Sequence, residues 1–163
     1  MKQVSVKQLT LAGVMAALVF VMTYLPKVPV PVTGGYIHLG DGAIFLAVLL
    51  LGPLGIPAAA IGSGLSDLIG GYMVYVIPTL VIKGLVAFCA WALFRRGSWL
   101  WAAVAFVIAE VVMVLGYFDF EAVMYGSAAA IAAILPNVIQ GVAGVAMGLV
   151  CVALMPRLEK IVK

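Results

Sequence analysis

Long apolar runs that follow one another with only short polar breaks dominate this sequence. Hydrophobic residues make up 66% of the chain and charged residues only 9%, whereas a soluble domain carries about 25% charged residues. The chain is therefore predicted to be an integral membrane protein. At about 20 residues per crossing, roughly six crossings account for the whole chain and leave no room for a soluble catalytic domain.

The breaks between the apolar runs predict an all-α bundle of six transmembrane helices. The segment 27–40 is rich in Pro and Gly and predicts an ordered loop, and the polar-aromatic segment 117–126 predicts another. Asp41 is expected to cap the second helix, a mainly structural role, and Pro136 to kink the last helix. The expected helices cover residues 7–24, 41–51, 56–69, 78–95, 99–116 and 128–154 of a single membrane domain.

The basic residues predict the orientation of the bundle. With six crossings, Lys27 lies at one side of the membrane, and all the remaining loop and terminal basic residues lie at the other: Lys2, Lys7, Arg95, Arg96, Arg157, Lys160 and Lys163. The positive-inside rule then places both termini in the cytoplasm, with the chain in the plasma membrane of a bacterium. The first apolar run also resembles a secretory signal, but no convincing cleavage site follows it, so a retained helix is expected.

Nearly all the polar residues of the helices fall in the outer half of the predicted membrane. Measured along each helix, they lie about 5–15 Å below the outer surface. Ionisable groups at such depth are costly unless they have a partner or a task. Their one-sided distribution predicts a pocket that opens to the outside. The helix residues are Asp67, Lys83, Glu110, Asn137 and Gln140, and the loops at that end add Tyr36, His38, Tyr117 and Glu121.

Purely structural roles are the alternative for these residues. Lys83 and Glu110 would then neutralise each other between two helices, because a buried charge needs a partner. Asn137 and Gln140 would hold helices together by hydrogen bonds, and His38 would bond within its own loop.

No enzyme signature is present in the sequence. It contains no phosphate-binding loop of the Gly-x-x-x-x-Gly-Lys-Ser/Thr type, and no His-Glu-x-x-His, Gly-x-Ser-x-Gly or Cys-x-x-Cys motif. We therefore expect neither an enzyme nor a resident cofactor or metal, and no nucleic-acid partner. Uphill transport by this chain would draw its energy from partner subunits that use ATP, or from an ion gradient.

The first helix carries a stripe of small residues. Ala12 and Ala16 form an Ala-x-x-x-Ala pair, and Gly13 extends it. Such a face lets another helix approach closely, either from a partner protein or from within the chain.

Five segments together resemble the substrate-binding S components of energy-coupling factor (ECF) vitamin transporters. The resemblance covers nearly the whole chain and is closest to the riboflavin-type group, which includes hydroxymethylpyrimidine and pyridoxine binders. The segments are Gly-Tyr-Ile-His-Leu-Gly-Asp at 35–41, Leu-Gly-Pro-Leu-Gly at 51–55, Gly-Ser-Gly-Leu-Ser-Asp-Leu-Ile-Gly-Gly-Tyr at 62–72, Pro-Thr-Leu-Val-Ile-Lys-Gly at 78–84 and Pro-Asn-Val-Ile-Gln at 136–140.

The resemblance implies a binding subunit and not an enzyme. Such a subunit captures a vitamin in an outward-facing pocket, docks on a transmembrane T component that carries two ABC ATPases, and topples in the bilayer to release its cargo. The face of Ala12, Gly13 and Ala16 would contact the T component. The implied pocket residues are Lys83, Glu110, Tyr117, Glu121, Asn137 and Gln140, with Tyr36 and His38 in the lid and Asp67 in a family-like motif.

The sequence favours a one-ring vitamin precursor, hydroxymethylpyrimidine or pyridoxine, over riboflavin. The reason is that few aromatic residues are expected at pocket depth to stack on a large flavin. Two other functions stay open: a self-sufficient proton-coupled carrier that uses Asp67 or Glu110, and a structural membrane subunit without a ligand.

Overall fold

The computed structural model describes residues 4–162, so that Lys2 and Lys163, which entered the prediction of orientation, lie outside the described residues. The fold is helical, with one small β-hairpin. The elements in chain order are α1 (Val6–Tyr24), β1 (Val28–Val30), β2 (Gly35–Ile37), α2 (Gly40–Leu51), α3 (Gly55–Gly70), α4 (Val76–Leu93), α5 (Trp99–Tyr125) and α6 (Ser127–Val162).

The ends of α1 are set by local signals. Ser5 and Gln8 form a capping box, in which the Ser5 side chain accepts a hydrogen bond from the Gln8 N–H and the Gln8 side chain reaches back. The helix ends at Tyr24, just before Pro26. The segment that follows, predicted as a loop, contains the antiparallel strands β1 and β2, with Val28 opposite Ile37.

Helices α2 and α3 form an antiparallel hairpin. The chain turns at Gly52, whose φ of +59° favours glycine, and Gly55 packs so tightly that a Cβ there would lie 2.7 Å from the Ala47 carbonyl carbon. Among the described residues, five helical stretches are long and apolar enough to span a membrane: Val6–Tyr24, Gly40–Gly70, Met73–Leu93, Trp99–Tyr125 and Ser127–Leu158. The second of these stretches contains the hairpin, which reverses the chain direction.

The expectation of a loop at 117–126 is wrong, because α5 continues to Tyr125. No Pro or Gly interrupts this segment before Gly126, whose φ of +87° ends the helix. Tyr117 and Glu121 are four residues apart, so they lie on one face of the helix and both are buried. The last helix also runs past its expected end at 154, through Pro136 and Pro156 to Val162.

The six α-helices close into a ring. Neighbours around the ring contact each other in the order α1, α3, α4, α5, α6, α2 and back to α1, and α2 also packs against α3 and α4. Phe45 of α2 and Phe106 of α5 stack in the middle, with ring centroids 4.3 Å apart. Gly148 of α6 makes room for them, since a Cβ there would lie 2.7 Å from the Phe45 ring. Most of the buried polar and charged residues lie toward one end of the bundle, where the hairpin β1–β2 lies.

Gly62 determines how closely α3 approaches α1. A Cβ at this position would collide with the backbone carbonyl oxygen of Ala16 and come within 2.9 Å of the Val19 side chain. We expect Gly62→Ala to lower the free energy of unfolding by about 1–3 kcal/mol, because a backbone atom cannot give way as a flexible side chain can.

The matched control is Gly84→Ala in α4, where the added methyl group would meet only Ala60 at 3.7 Å. Alanine favours helix over glycine by about 1 kcal/mol, so this variant should be neutral or more stable. Thermal unfolding of both variants in detergent measures the difference, and equal melting temperatures would contradict this account of the α1–α3 contact.

Candidate functional site

A narrow cavity lies between the β1–β2 hairpin and the helix ends beneath it. Its free volume is about 30 Å³, room for a few water molecules. The hairpin forms its roof, and α3, α4, α5 and α6 form its walls. The lining residues are Val30, Thr33, Gly35, Tyr36, His38, Asp67, Tyr75, Thr79, Tyr117, Glu121, Ala133, Asn137 and Gln140.

Helical periodicity brings the wall residues of α5 and α6 together. Tyr117 and Glu121 are one turn apart on α5, and Ala133, Asn137 and Gln140 follow at spacings of four and three residues on α6. Each set therefore forms one stripe that faces the cavity. Other apolar side chains of the same two helices, such as Phe106 and Met113, are buried in the core of the bundle.

The roof is tied to the wall through Tyr75. The hairpin turns at Gly34, whose φ is +67°, and the Tyr75 hydroxyl donates to the Thr33 carbonyl oxygen over 3.1 Å. Gly35 lies against the same hydroxyl, and a Cβ there would be 3.3 Å from the Tyr75 oxygen. The close approach leaves little room for a side chain at position 35.

A second attachment, here called the latch, joins the roof to α3 and consists of Lys27, Tyr36 and Asp67. The Tyr36 hydroxyl donates to Asp67 Oδ1 over 2.6 Å. The Lys27 ammonium lies 4.3 Å from the centroid of the Tyr36 ring, and the rings of Tyr24 and Tyr72 complete a cage around it at 4.4 and 4.9 Å. Burial and the nearby Asp67 charge raise the pKa of Tyr36, so it stays protonated and able to donate.

Below the cavity, a buried ion pair joins three helices. Lys83 Nζ of α4 lies 2.6 Å from Asp41 Oδ1 of α2, and both side chains are completely buried. Gln140 of α6 donates from Nε2 to Asp41 Oδ2 over 2.7 Å. Its Oε1 accepts the backbone N–H of His38 over 2.9 Å, so the network reaches the roof.

His38 is held as a neutral imidazole. Its Nδ1 accepts the backbone N–H of Gly40 over 2.9 Å, which places the ring proton on Nε2. Burial, with a further contribution from the Lys83 charge, lowers the pKa of His38 to about 3. His38 therefore contributes a neutral ring to the cavity wall across the physiological pH range.

Two buried carboxylates each leave one oxygen free at the cavity. Within residues 4–162, Asp67 Oδ2 and Glu121 Oε2 have no hydrogen-bond partner. The other oxygen of each is in contact with a tyrosine hydroxyl, Tyr36 for Asp67 and Tyr75 for Glu121 at 3.1 Å. A buried polar atom without a partner is uncommon and costs about 1–3 kcal/mol, which makes these oxygens candidates for ligand contacts.

The structure gathers most of the residues that the sequence predicted around this cavity. Lining it are Tyr36, His38, Asp67, Tyr117, Glu121, Asn137 and Gln140. Two predicted pocket residues do not line it. Lys83 lies beneath the cavity in the ion pair, and Glu110 lies against Gly141 and Gly144 at the base of an apolar groove between α5 and α6. Substrate contact by the seven lining residues stays a prediction.

Three expectations about the pocket are wrong. Lys83 pairs with Asp41 and not with Glu110, whose carboxylate oxygens have no partner among the described residues. Asp41 forms no cap, because Leu39 is the N-cap residue of α2 and the Asp41 side chain points into the bundle. Aromatic residues are not scarce at the cavity.

Sequence reasoning missed several wall residues. Tyr75, which is not among the predicted site residues, joins Tyr36 and Tyr117 and brings the aromatic rings at the cavity to three. The sequence offered one signal for a missed residue: Thr79 lies four residues before Lys83, on the same face of α4. Thr33 gave no such signal, since only the fold of the hairpin brings it to the cavity.

Comparison with known proteins decides the family. Residues 3–157 match the model of the ECF-type riboflavin transporter S component. The chain belongs to this family. The S component is 35% identical over 157 residues to the thiamine precursor transporter HmpT of Lactococcus lactis, a match that covers 94% of this chain and 90% of HmpT. It is also 37% identical over 134 residues to an uncharacterised protein of Pyrococcus woesei, covering 80% of this chain and 88% of that protein.

Solved structures agree with this S component in fold. One, from work on the structure and mechanism of the S component of a bacterial ECF transporter, superimposes with a TM-score of 0.70 at 22% identity, covering 96% of this chain and 98% of the other. The S component for biotin from an ECF-type ABC transporter superimposes with a TM-score of 0.69 at 18% identity, covering 95% and 92%. The family is one of transporter subunits, and its fold is confirmed for this chain.

The stability of the protein should depend on Asp41 and Lys83 together, because each buried charge needs the other. Lys83→Met or Asp41→Asn alone leaves one buried charge without its partner, and we expect each to cost about 3–5 kcal/mol of the free energy of unfolding. The double variant removes both charges and keeps an oxygen for Gln140 to contact, so it should recover most of that loss. Thermal unfolding of the three variants tests this, and additive losses in the double variant would contradict the pairing.

Proposed function

We propose that this S component captures a one-ring vitamin precursor, with hydroxymethylpyrimidine as the first candidate, from outside the cell. The observation that carries the proposal is the cavity lined by polar and aromatic side chains at one end of a largely apolar bundle, covered by a hairpin that only a few side chains hold in place. The similarity to HmpT, described as a thiamine precursor transporter, supports this class of substrate over riboflavin.

The narrowness of the cavity favours a small, flat ligand. The free volume of about 30 Å³ holds no vitamin as it stands, so the roof must move, and a one-ring heterocycle requires the smaller movement. A three-ring flavin would require the hairpin and the helix ends to separate much further. The three tyrosine rings can stack on either ligand, so they do not discriminate by themselves.

Mass spectrometry of the small molecules that co-purify with the protein tests the substrate directly. We expect hydroxymethylpyrimidine to co-purify and to raise the melting temperature when added back, because ligand at about 100 times its dissociation constant stabilises the folded state by about 2.7 kcal/mol. Pyridoxine and riboflavin serve as the comparison ligands. Stabilisation by riboflavin alone would overturn the assignment, and stabilisation by no vitamin would favour a structural subunit.

The bundle is proposed to cross the membrane six times with both termini in the cytoplasm. The antiparallel α2–α3 hairpin supports the even number, because it returns the chain to the cavity end. Charge supports the orientation, because Lys27 is the basic residue of the cavity end. The opposite end carries Lys7, Arg95, Arg96, Arg157 and Lys160. The cavity would then open to the outside of the plasma membrane.

The S component is proposed to deliver its ligand after docking on a T component that carries two ABC ATPases. It would topple in the membrane to release the ligand inside, and the ATPases would use the ATP. The exposed face of α1 supports docking there. Gly13 is exposed and a Cβ at that position would meet no atom within 4 Å, whereas Ala12 and Ala16 are half-buried and Ala16 is backed by Gly62. Gly13 is therefore the residue of the small stripe that is most open to a partner helix.

The variant Gly13→Leu should block assembly with the T component and spare ligand binding, since the added side chain fills the close-approach surface without touching the rest of the chain. Co-purification with the T component and thermal stabilisation by ligand measure the two effects separately. Ala132→Leu, which also introduces a Leu side chain on the exposed face of α6, is the control and should leave both unchanged. Intact assembly of Gly13→Leu would refute the role of this face.

A self-sufficient proton-coupled carrier is the second candidate. The buried Glu110 carboxylate favours it, because both its oxygens lack a partner within residues 4–162. Uptake in cells that lack the T component and ATPases separates the two functions. Uptake that persists there and stops when the proton gradient is collapsed at constant ATP would establish the carrier.

A further inference from the structure

The two cavity carboxylates differ in their surroundings. Asp67 belongs to the latch, where Tyr36 donates to it and the Lys27 ammonium lies close enough to influence its charge. Glu121 is 3% exposed and forms no ion pair in the part of the chain that the structure describes. Asp67 thus has a positive charge nearby, whereas Glu121 has a hydroxyl donor but no ion-pair partner among the described residues.

The Tyr75 hydroxyl is shared between the roof and Glu121. The Tyr75 oxygen lies 3.1 Å from the Thr33 carbonyl oxygen and 3.1 Å from Glu121 Oε1, but a hydroxyl has a single hydrogen to donate. Both of these oxygens accept from Tyr75, so Glu121 Oε1 receives only a share of one hydrogen. Glu121 Oε2 has no hydrogen-bond partner within residues 4–162 and is the oxygen left free at the cavity.

We infer that Glu121 is the specificity-determining residue of the cavity, and that it selects a ligand with an amino group next to a ring nitrogen. This inference rests on the proposed function and narrows its substrate class. The ligand amino group donates to one carboxyl oxygen. The ring nitrogen takes up a proton from hydronium of the solvent, which is left as water, and its new N–H bond donates to the other carboxyl oxygen; no covalent bond of Glu121 forms or breaks.

The product of this step is a two-bond pair between a carboxylate and an amino-substituted heterocyclic cation. Such charge-assisted, bidentate pairs are about twice as strong as neutral hydrogen bonds. Tyr75 keeps Glu121 at the cavity wall, and Tyr117, one turn earlier on α5, supplies an aromatic face beside it. An aromatic ring next to a carboxylate suits a cationic heterocycle. Asp67 keeps its role in the latch and does not discriminate between ligands.

The test compares two compounds with the purified full-length protein by calorimetry: hydroxymethylpyrimidine, and the analogue in which a methyl group replaces its amino group. We expect Glu121→Gln to weaken binding of the amino compound at least tenfold and binding of the methyl analogue less than twofold. Glu121→Asp keeps the carboxyl group, so it should retain part of the preference for the amino compound. Asp67→Asn should change the affinity of both compounds by the same factor.

The matched control is Asp119→Asn, which removes an exposed carboxylate from the same helix two residues before Glu121 and should change neither affinity. Thermal unfolding without ligand verifies that each variant is folded. If Glu121→Gln weakens binding of both compounds equally, or weakens binding of neither, the inference is overturned and the proposed function still stands. If the wild-type protein binds neither compound, the proposed function fails and this inference fails with it.

Discussion

The buried pair between Asp41 and Lys83 is the interaction on which the site depends. It connects α2 to α4, and Gln140 extends it to α6 and to the backbone of His38. Two completely buried charges are stable only when each has its partner and its remaining hydrogen bonds are made. The pair therefore fixes three helices relative to one another directly beneath the cavity, and it gives the roof a fixed point of attachment at His38.

The roof is attached in a different way from the floor. Its contacts are the latch of Lys27, Tyr36 and Asp67 and the hydroxyl of Tyr75, and Lys27 is half-buried. A neutral hydrogen bond or a cation–π contact contributes about 1 kcal/mol and a hydrogen bond to a charged group about 1.5–3 kcal/mol, whereas breaking a buried ion pair costs about 3–5 kcal/mol. The same cavity is thus bounded by a rigid floor and by a roof whose opening disrupts few interactions.

The sequence predicted where the polar residues meet but not how they pair. Depth along each helix was enough to bring Asp67, Asn137 and Gln140 to one end, because the rise per residue is constant. Pairing depends on rotation about the helix axis, and that is set by tertiary contacts such as Gly144, where a Cβ would lie within 2.9 Å of the Asp41 side chain. The partner of Lys83 was therefore missed, and so was Tyr75, whose place depends on the fold of the hairpin.

The unpaired oxygens of the cavity follow from the same geometry. Asp67 and Glu121 are carried by different helices, whose separation is fixed by the floor and by the apolar contacts around the ring, so neither carboxylate can move to find a second donor. A ligand with suitably placed N–H groups would supply the missing hydrogen bonds and fill the space at the same time. Tyr36 of the roof and Tyr75, which holds the roof at Thr33, contact these same two carboxylates. The proposed capture of a ligand would therefore be coupled to closure of the cavity, because both would involve the same side chains.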